Sequence, residues 1–135
     1  MSNCIFCSII DGSLPSYTIY EDRYFRIIMD RYPSAKGHVL ILPKRHVADI
    51  YGLNAEEAAA LIPLAQKTAE KMRDVLGMDG LNLLQNNGKA AGQVVDHFHL
   101  HLLPRYENDG VIIKGVPTGQ TPEELELLAE LLKLQ

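Results

Sequence analysis

The sequence predicts an α+β fold in a single domain, and three observations predict it. Several short runs rich in β-branched and aromatic residues are punctuated by turn-forming residues, which is the pattern of an antiparallel sheet. One long run between Asn54 and Gly77 repeats its apolar residues at helical period instead. Hairpins wrapped around one long helix fit α+β better than alternating β-α units. Finally, the 135 residues carry no repeat, low-complexity tract or linker, so residues 1–135 form one domain large enough for a real core.

Taken in order, Cys4–Ile10 predicts a short helix that ends at Gly12. Tyr17–Tyr20 and Tyr24–Met29 read as strands joined by a tight turn at Glu21-Asp22-Arg23. His38–Leu42 is a third strand, closed by Pro43, which has no N–H to give a ladder. Asn54 then caps the long helix, with Glu57 at capping-box spacing. Ala58, Leu61, Ile62, Ala65, Ala69, Met72 and Leu76 form its apolar stripe, Gly77 suits its C-terminal cap, and Pro63 predicts a kink. Leu81–Asn86 and Val95–Leu103 are strands four and five, separated by a glycine-bearing loop, Asn87–Gln93. A last helix opens at Thr121-Pro122-Glu123-Glu124, which offers a cap, a Pro at the first position and a capping-box Glu. Leucines 125, 127, 128, 131, 132 and 134 leave this helix little polar surface, so it wants cover, as from a second subunit.

Composition narrows the function. A net charge of −4 argues against nucleic-acid binding through a broad basic surface, although Pro43-Lys44-Arg45-His46 is a local basic spot fit for a small anion. No apolar run is long enough to cross a bilayer, and the opening MSNCIFCSIIDG makes a poor secretory signal. A cytoplasmic protein is therefore expected, in which Cys4 and Cys7 are thiols or metal ligands rather than a disulfide.

Three of the five histidines fall at alternate positions in DHFHLHLLPR, at 97, 99 and 101. Metal ligands, a catalytic imidazole with supports, and a plain polar strand face are the open readings. On a strand the three share one face, with Phe98, Leu100 and Leu102 on the other. His97 and His101 would then lie about 13 Å apart at about 3.3 Å per residue. Zinc reaches only about 2.1 Å to each nitrogen, so one ion cannot collect all three. A neutral imidazole is a competent nucleophile when its other nitrogen is tied to an acceptor. Transfer at phosphorus also needs donors for the phosphoryl oxygens. The neighbouring Gly88-Lys89-Ala90-Ala91-Gly92-Gln93 can supply backbone N–H groups, though it is not a Walker loop.

HFHLHLL resembles the signature of the histidine triad (HIT) family of nucleotide hydrolases and transferases. The similarity extends to CIFCSIIDGSLPS, IIMDRYPSAKGHVLILPKRHV and LLQNNGKAAGQVVDHFHLHLLPR, which together span most of the chain. It points to a Hint-like, bacterial-type member with an N-terminal CxxC, and implies a HIT-like fold of about five antiparallel strands. It also implies a site for an AMP-like nucleotide, usually in a homodimer. By this resemblance His99 is the nucleophile, forming a nucleotidyl-histidine that water releases. His97 supports it through a backbone carbonyl, and His101 donates to the phosphate or the leaving group. Asp30 is implied to bind the ribose hydroxyls, Asn86 to lie near the leaving group, and Gly92 and Gln93 to contact phosphate. Phe6, Ile9, Leu14, Ile28 and Leu40 match an apolar base pocket, and His38 a further histidine beside the triad.

Relatives with this CxxC pair it with two histidines, which correspond to His46 and His97. Cys4, Cys7, His46 and His97 would make a closed, structural zinc site. One departure stands out: Val94 lies where the Hint branch often has Ser and the Fhit branch Thr, and valine cannot donate a hydrogen bond. The implied activity is hydrolysis of purine nucleoside 5′-phosphoramidates or adenylates. Dinucleoside polyphosphate hydrolysis of the Fhit type and a non-catalytic nucleotide-binding or scaffold module are the alternatives.

Overall fold

The computed structural model describes residues 3–134. Among them it holds three α-helices, α1 (Ile5–Ile10), α2 (Ala55–Leu76) and α3 (Pro122–Leu132), and one five-stranded sheet. The strands are β1 (Thr18–Glu21), β2 (Phe25–Met29), β3 (Val39–Pro43), β4 (Gly80–Leu84) and β5 (Leu100–Arg105). Their order is β1-β2-β3-β5-β4, with every neighbour antiparallel, so β5 is inserted between β3 and β4. The α+β class and the five-stranded antiparallel sheet are as the sequence predicts.

Side chains that alternate along the strands sort into two layers. Phe25 and Ile27 of β2, Val39 and Ile41 of β3, and Leu100 and Leu102 of β5 face α2, where they meet Leu61, Ala65 and Met72. Phe98 joins this core at 1% exposure. Fully burying each such large apolar side chain contributes about 1.5–3 kcal/mol, and this layer is the main hydrophobic reservoir of the fold. The intervening residues Ile28, Leu40 and Leu42 look the other way and pack with Phe6 and Ile9 of α1. His38 and His101 belong to this second face, since Leu40 pairs with His101 in the ladder.

Several boundaries differ from the sequence reading, each for a physical reason. Strand five was expected over Val95–Leu103 but begins at Leu100 and continues to Arg105. The ladder with β3 stops at Ile41–Leu100. Beyond it Phe98 gives its N–H to Val47, and the His97 ring rather than a backbone amide takes the Pro43 carbonyl. His97 and His99 are thus extended but lie outside the strand. Pro43 is the last ladder position of β3 rather than the stop beyond it, opposite Phe25. The fourth strand is Gly80–Leu84, because Gln85 and Asn87 bond each other's side chains instead of extending it. The long helix runs unbroken across Pro63, whose side of the helix is exposed, so the Ala59 carbonyl left without an N–H partner faces water. Ala58 and Ile62 fall on that exposed side, and Leu64 takes their place against the core.

Both long-helix caps form as expected. Asn54 and Glu57 complete a capping box, and Gly77 closes α2 in the left-handed region at φ 63°. Thr121 and Glu124 form a second capping box on α3, none of whose residues is buried. Glu57 does more than cap. It is 2% exposed, accepts the Asn54 N–H, and receives two hydrogen bonds from the Arg45 guanidinium at 2.7 and 3.2 Å. Burial by itself would raise this carboxyl, but Arg45 and Asn54 outweigh it and hold it below the usual glutamate range.

Replacing Glu57 with Ala should therefore cost about 1–3 kcal/mol of stability, since it removes the capping-box acceptor of α2 and leaves the half-exposed Arg45 without its carboxylate partner. Urea unfolding at neutral pH measures this. Because folding lowers this pKa, the contribution is present above pH 4.5, the ordinary value, and is lost as the pH falls through the lower folded value. A loss under 0.5 kcal/mol, roughly the surface-site range, would contradict the assignment.

Candidate active site and metal centre

The triad is divided by its backbone and ring partners. His97 is fully buried, and its Nε2–H donates to the Pro43 carbonyl at 2.8 Å. That bond fixes the proton on Nε2, leaving the Nδ1 lone pair to face Cys4 Sγ at 3.3 Å, Cys7 Sγ at 3.6 Å and His46 Nδ1 at 3.2 Å. Cys7 Sγ also lies 3.2 Å from His46 Nδ1. Cys4 caps α1, accepting the Cys7 N–H on its sulfur, so both thiols sit at one end of this short helix. The four ligand atoms lie within 4.8 Å of one another.

These residues fit a tetrahedral zinc ion. Bonds of about 2.1 Å to nitrogen and 2.3 Å to sulfur put neighbouring ligand atoms about 3.4–3.8 Å apart, close to the spacings seen. The chemistry of the donors points the same way. Two imidazole nitrogens converge, and burial followed by the hydrogen bond to Cys4 pushes the Cys7 thiol up to about 11. A cation among them would reverse that cost by favouring the thiolate.

His99 faces away from this cluster. Its Nδ1–H donates to the His97 carbonyl at 2.7 Å, which leaves Nε2 with an available lone pair. The ring is 7% exposed and lies between the edge of Phe6, at 5.0 Å between centroids, and His101, at 4.9 Å. One residue thereby serves two sites: the His97 ring joins the cysteines while its main chain orients His99.

His101 is oriented from the opposite side. The Ser34 backbone N–H donates to His38 Nδ1 at 3.1 Å, so the His38 proton must sit on Nε2. His38 Nε2–H then reaches His101 Nδ1 at 2.9 Å, which places the His101 proton on its own Nε2. Asp30 Oδ2 lies 3.5 Å from His38 Nε2, while Asp30 Oδ1 accepts the Tyr32 N–H. Burial first, then the neighbouring His99 and His38, push His101 down to about 4. Burial likewise lowers His38, with the Asp30 charge opposing it.

The loop between β4 and β5 is tied down from within. Gln93 is buried, its Nε2 donating to the Ala48 and Val95 carbonyls and its Oε1 accepting the Gly88 N–H. Its backbone N–H also returns to Gly88. Gln93 thus braces the loop and has no side-chain group left over for a ligand. Gly88 and Gly92 both adopt φ 90°, a region glycine enters freely, and Asn86 reaches toward the Gly92 carbonyl at 3.5 Å. Val94 is 91% exposed. Of the expected apolar base-pocket residues, Phe6, Ile9, Ile28 and Leu40 pack together, whereas Leu14 is 42% exposed outside that cluster.

Sequence reasoning missed Ser34 and Pro43 as orienting residues. Both act through backbone atoms, so neither residue type signals the role.

A HIT domain family model matches residues 11–108. A Saccharomyces cerevisiae relative named adenosine 5′-monophosphoramidase is 40% identical over 118 residues, covering 87% of this chain and 72% of that one. A HIT-family crystal structure from Bacillus subtilis superposes with a TM-score of 0.88 at 37% identity, covering 97% of this chain and 95% of that one. A zinc-bound histidine triad family protein from Mycobacterium smegmatis, also 37% identical, gives 0.77 over 95% and 91% of the two chains.

The buried imidazoles make stability depend on pH. His101 has a folded pKa near 4 against an ordinary 6.5, so its contribution is complete above about pH 6.5. It erodes as the pH falls toward 4, because the unfolded chain takes up the proton first. Melting temperature should fall across that interval, and His101→Gln should shallow the slope. Parallel curves for the two proteins would rule out the contribution.

Proposed function

The chain belongs to the HIT domain family, and on that basis we propose that it is a nucleotide hydrolase acting on purine nucleoside 5′-phosphoramidates or adenylates through a covalent nucleotidyl-His99. The observation that carries this reading is the 2.7 Å hydrogen bond from His99 Nδ1 to the His97 carbonyl, which leaves Nε2 as a directed lone pair. Yeast relatives named adenosine 5′-monophosphoramidase, 40% and 36% identical, support the substrate class.

His99 Nε2 attacks the α-phosphorus, the leaving group departs with the electron pair of its bond to phosphorus, an amine taking a proton from solvent, and the ring becomes cationic with its proton retained on Nδ1. The His97 carbonyl stabilises that cation. Water then adds to phosphorus, the Nε2–P bond breaks, and the electron pair returns to the ring. One proton of the water stays on the new phosphate oxygen, the other passes to solvent, and the nucleoside monophosphate is released. His101 Nε2–H serves the phosphoryl oxygens, whose charge such a donor stabilises without reorganising, while the Gly88, Ala91 and Gly92 N–H groups bond within the loop and give it its shape. Asp30 Oδ2 is the acceptor for the ribose hydroxyls, Asn86 lies beside the leaving group, and the Phe6, Ile9, Ile28 and Leu40 cluster backs the base.

Cys4, Cys7, His46 and His97 hold a structural zinc in this proposal. The ion would cross-link the N-terminal helix to the segment before β5, leaving the chemistry to the imidazoles. The working protein is a cytoplasmic homodimer, with the leucines of α3 covered by the second copy; light scattering should give the mass of two chains.

Substituting His99 by Asn should lower turnover of adenosine 5′-phosphoramidate by at least about 10³-fold while AMP still binds. Turnover at the wild-type rate would remove His99 as nucleophile. Protein purified without added metal should contain one zinc per chain by elemental analysis, and Cys4→Ser should lose most of it along with thermal stability. Clearly substoichiometric zinc in the unmodified protein would reject the metal site.

A further inference from the structure

Resting on the structural-zinc reading of Cys4, Cys7, His46 and His97, we infer that Arg45 is a positioning residue for that centre. Clamped on the capping carboxylate of α2, it holds His46 in the direction the ion requires. The N-terminus of α2 is thereby an outer part of the metal site.

The two imidazoles differ in how they are held. The His97 ring is buried, and its outer nitrogen bonds the Pro43 carbonyl at 2.8 Å. His46 is exposed, and among the described residues no protein group bonds its Nε2. A metal-binding histidine is ordinarily aimed by a partner on its second nitrogen. His46 lacks one, yet its Nδ1 stands 3.2 Å from both Cys7 Sγ and His97 Nδ1. Its direction is therefore set by the chain on either side.

That chain is tied at each neighbour of His46. The Lys44 N–H donates to the Tyr24 carbonyl at 2.8 Å, just past the end of β3. Val47 is buried, and its carbonyl accepts the Phe98 N–H at 2.7 Å, which joins it to the residue after His97. Between them, Arg45 spreads its guanidinium over both oxygens of Glu57, at 2.7 and 3.2 Å, and donates to the Gly52 carbonyl at 2.7 Å. Glu57 is itself fixed, being 2% exposed and engaged with Asn54 in the capping box. Gly52 is held close as well, since a Cβ there would come 3.2 Å from the Cβ of Val47.

Capping α2 requires only Asn54 and Glu57, which already exchange hydrogen bonds. The fork from Arg45 is an addition to that cap, and it falls one residue from a metal ligand. Two bonds to one carboxylate fix the plane of a guanidinium as well as its position, which a lysine ammonium cannot reproduce. With residues 45 and 47 both pinned, the His46 ring is placed before any ion arrives. Binding is then spared the ordering cost that a loose ligand would impose.

The test is a double-mutant cycle on zinc affinity, read by competition between zinc-loaded protein and a chromophoric chelator. Its four members are the wild type, Arg45→Met, His46→Ala and the two changes together. Arg45→Met should weaken zinc binding by about 10–100-fold. In the His46→Ala background the same change should alter affinity by less than about twofold, because the ligand it positions is gone. Arg45→Lys keeps a cation beside the buried Glu57 but not the fork, so it should stay folded and lose nearly as much affinity as Arg45→Met.

Cobalt in place of zinc gives a second readout. Arg45→Met should keep the thiolate-to-cobalt absorption of Cys4 and Cys7, while the visible bands of a four-coordinate ion weaken. Unchanged bands overturn the inference, even where His46→Ala binds too weakly for the cycle to be read. An equal loss of zinc affinity in both backgrounds marks a general effect on the fold and overturns it too. So does wild-type affinity in Arg45→Met, or in Arg45→Lys, which would make charge and not the clamp responsible. If the unmodified protein takes up neither ion, the zinc reading fails and this one with it. Tight zinc in the wild type with an additive cycle removes the inference alone.

Discussion

The hydrogen bond between the His97 ring and the Pro43 carbonyl is the constraint on which the site depends. It joins the end of β3 to the segment entering β5 at a point where the backbone ladder has already stopped. With Nε2 committed there, the other ring nitrogen has to face the cysteines, and the His97 main chain is left to hold the His99 ring. A break in regular strand pairing is what allows this. Had His97 remained in the ladder, its carbonyl would have been directed toward a neighbouring strand instead of a side chain.

The sheet separates structure from chemistry by its period of two. Phe98, Leu100 and Leu102 are held in the core beneath α2, which fixes the residues between them on the opposite face. Large apolar side chains at near-zero exposure make that register costly to slip, because a shift of one residue would expose the core and bury the histidines without partners. The imidazoles can therefore be close together and poorly solvated, conditions that otherwise oppose folding. Each is matched to an acceptor or donor that settles its proton: Pro43 for His97, the His97 carbonyl for His99, Ser34 for His38 and His38 for His101.

How much of this could be read in the sequence depended on whether a side chain or a backbone atom carries the role. The α+β class, both capping boxes and the number of strands follow from residue type and spacing, which act locally. The spacing of the histidines also excluded one ion bound by all three, and the structure divides them. The start of β5 lies later than residue type suggests because the amide of Phe98 finds Val47, a partner remote in sequence. The Gln93 brace, the Ser34 amide and the Pro43 carbonyl were hidden for the same reason. Ile62 fits the helical stripe by period, but the helix turns it outward, since period alone does not say where the edge of a buried face falls.

The Cys4–His97 contact joins positions 93 residues apart. A contact of such long sequence separation forms only after the intervening chain has been gathered, because closing a long loop costs entropy before it brings any interaction. During synthesis the cysteine helix emerges first and can pack on β2 and β3, but Cys4 has no His97 to meet until the segment just before β5 has been made. The peptide unit that orients His99 is therefore among the last parts of the molecule to be locked in place. A chain interrupted before that point has most of the α2 layer and none of the assembled histidine row, so the chemistry switches on only with the finished fold.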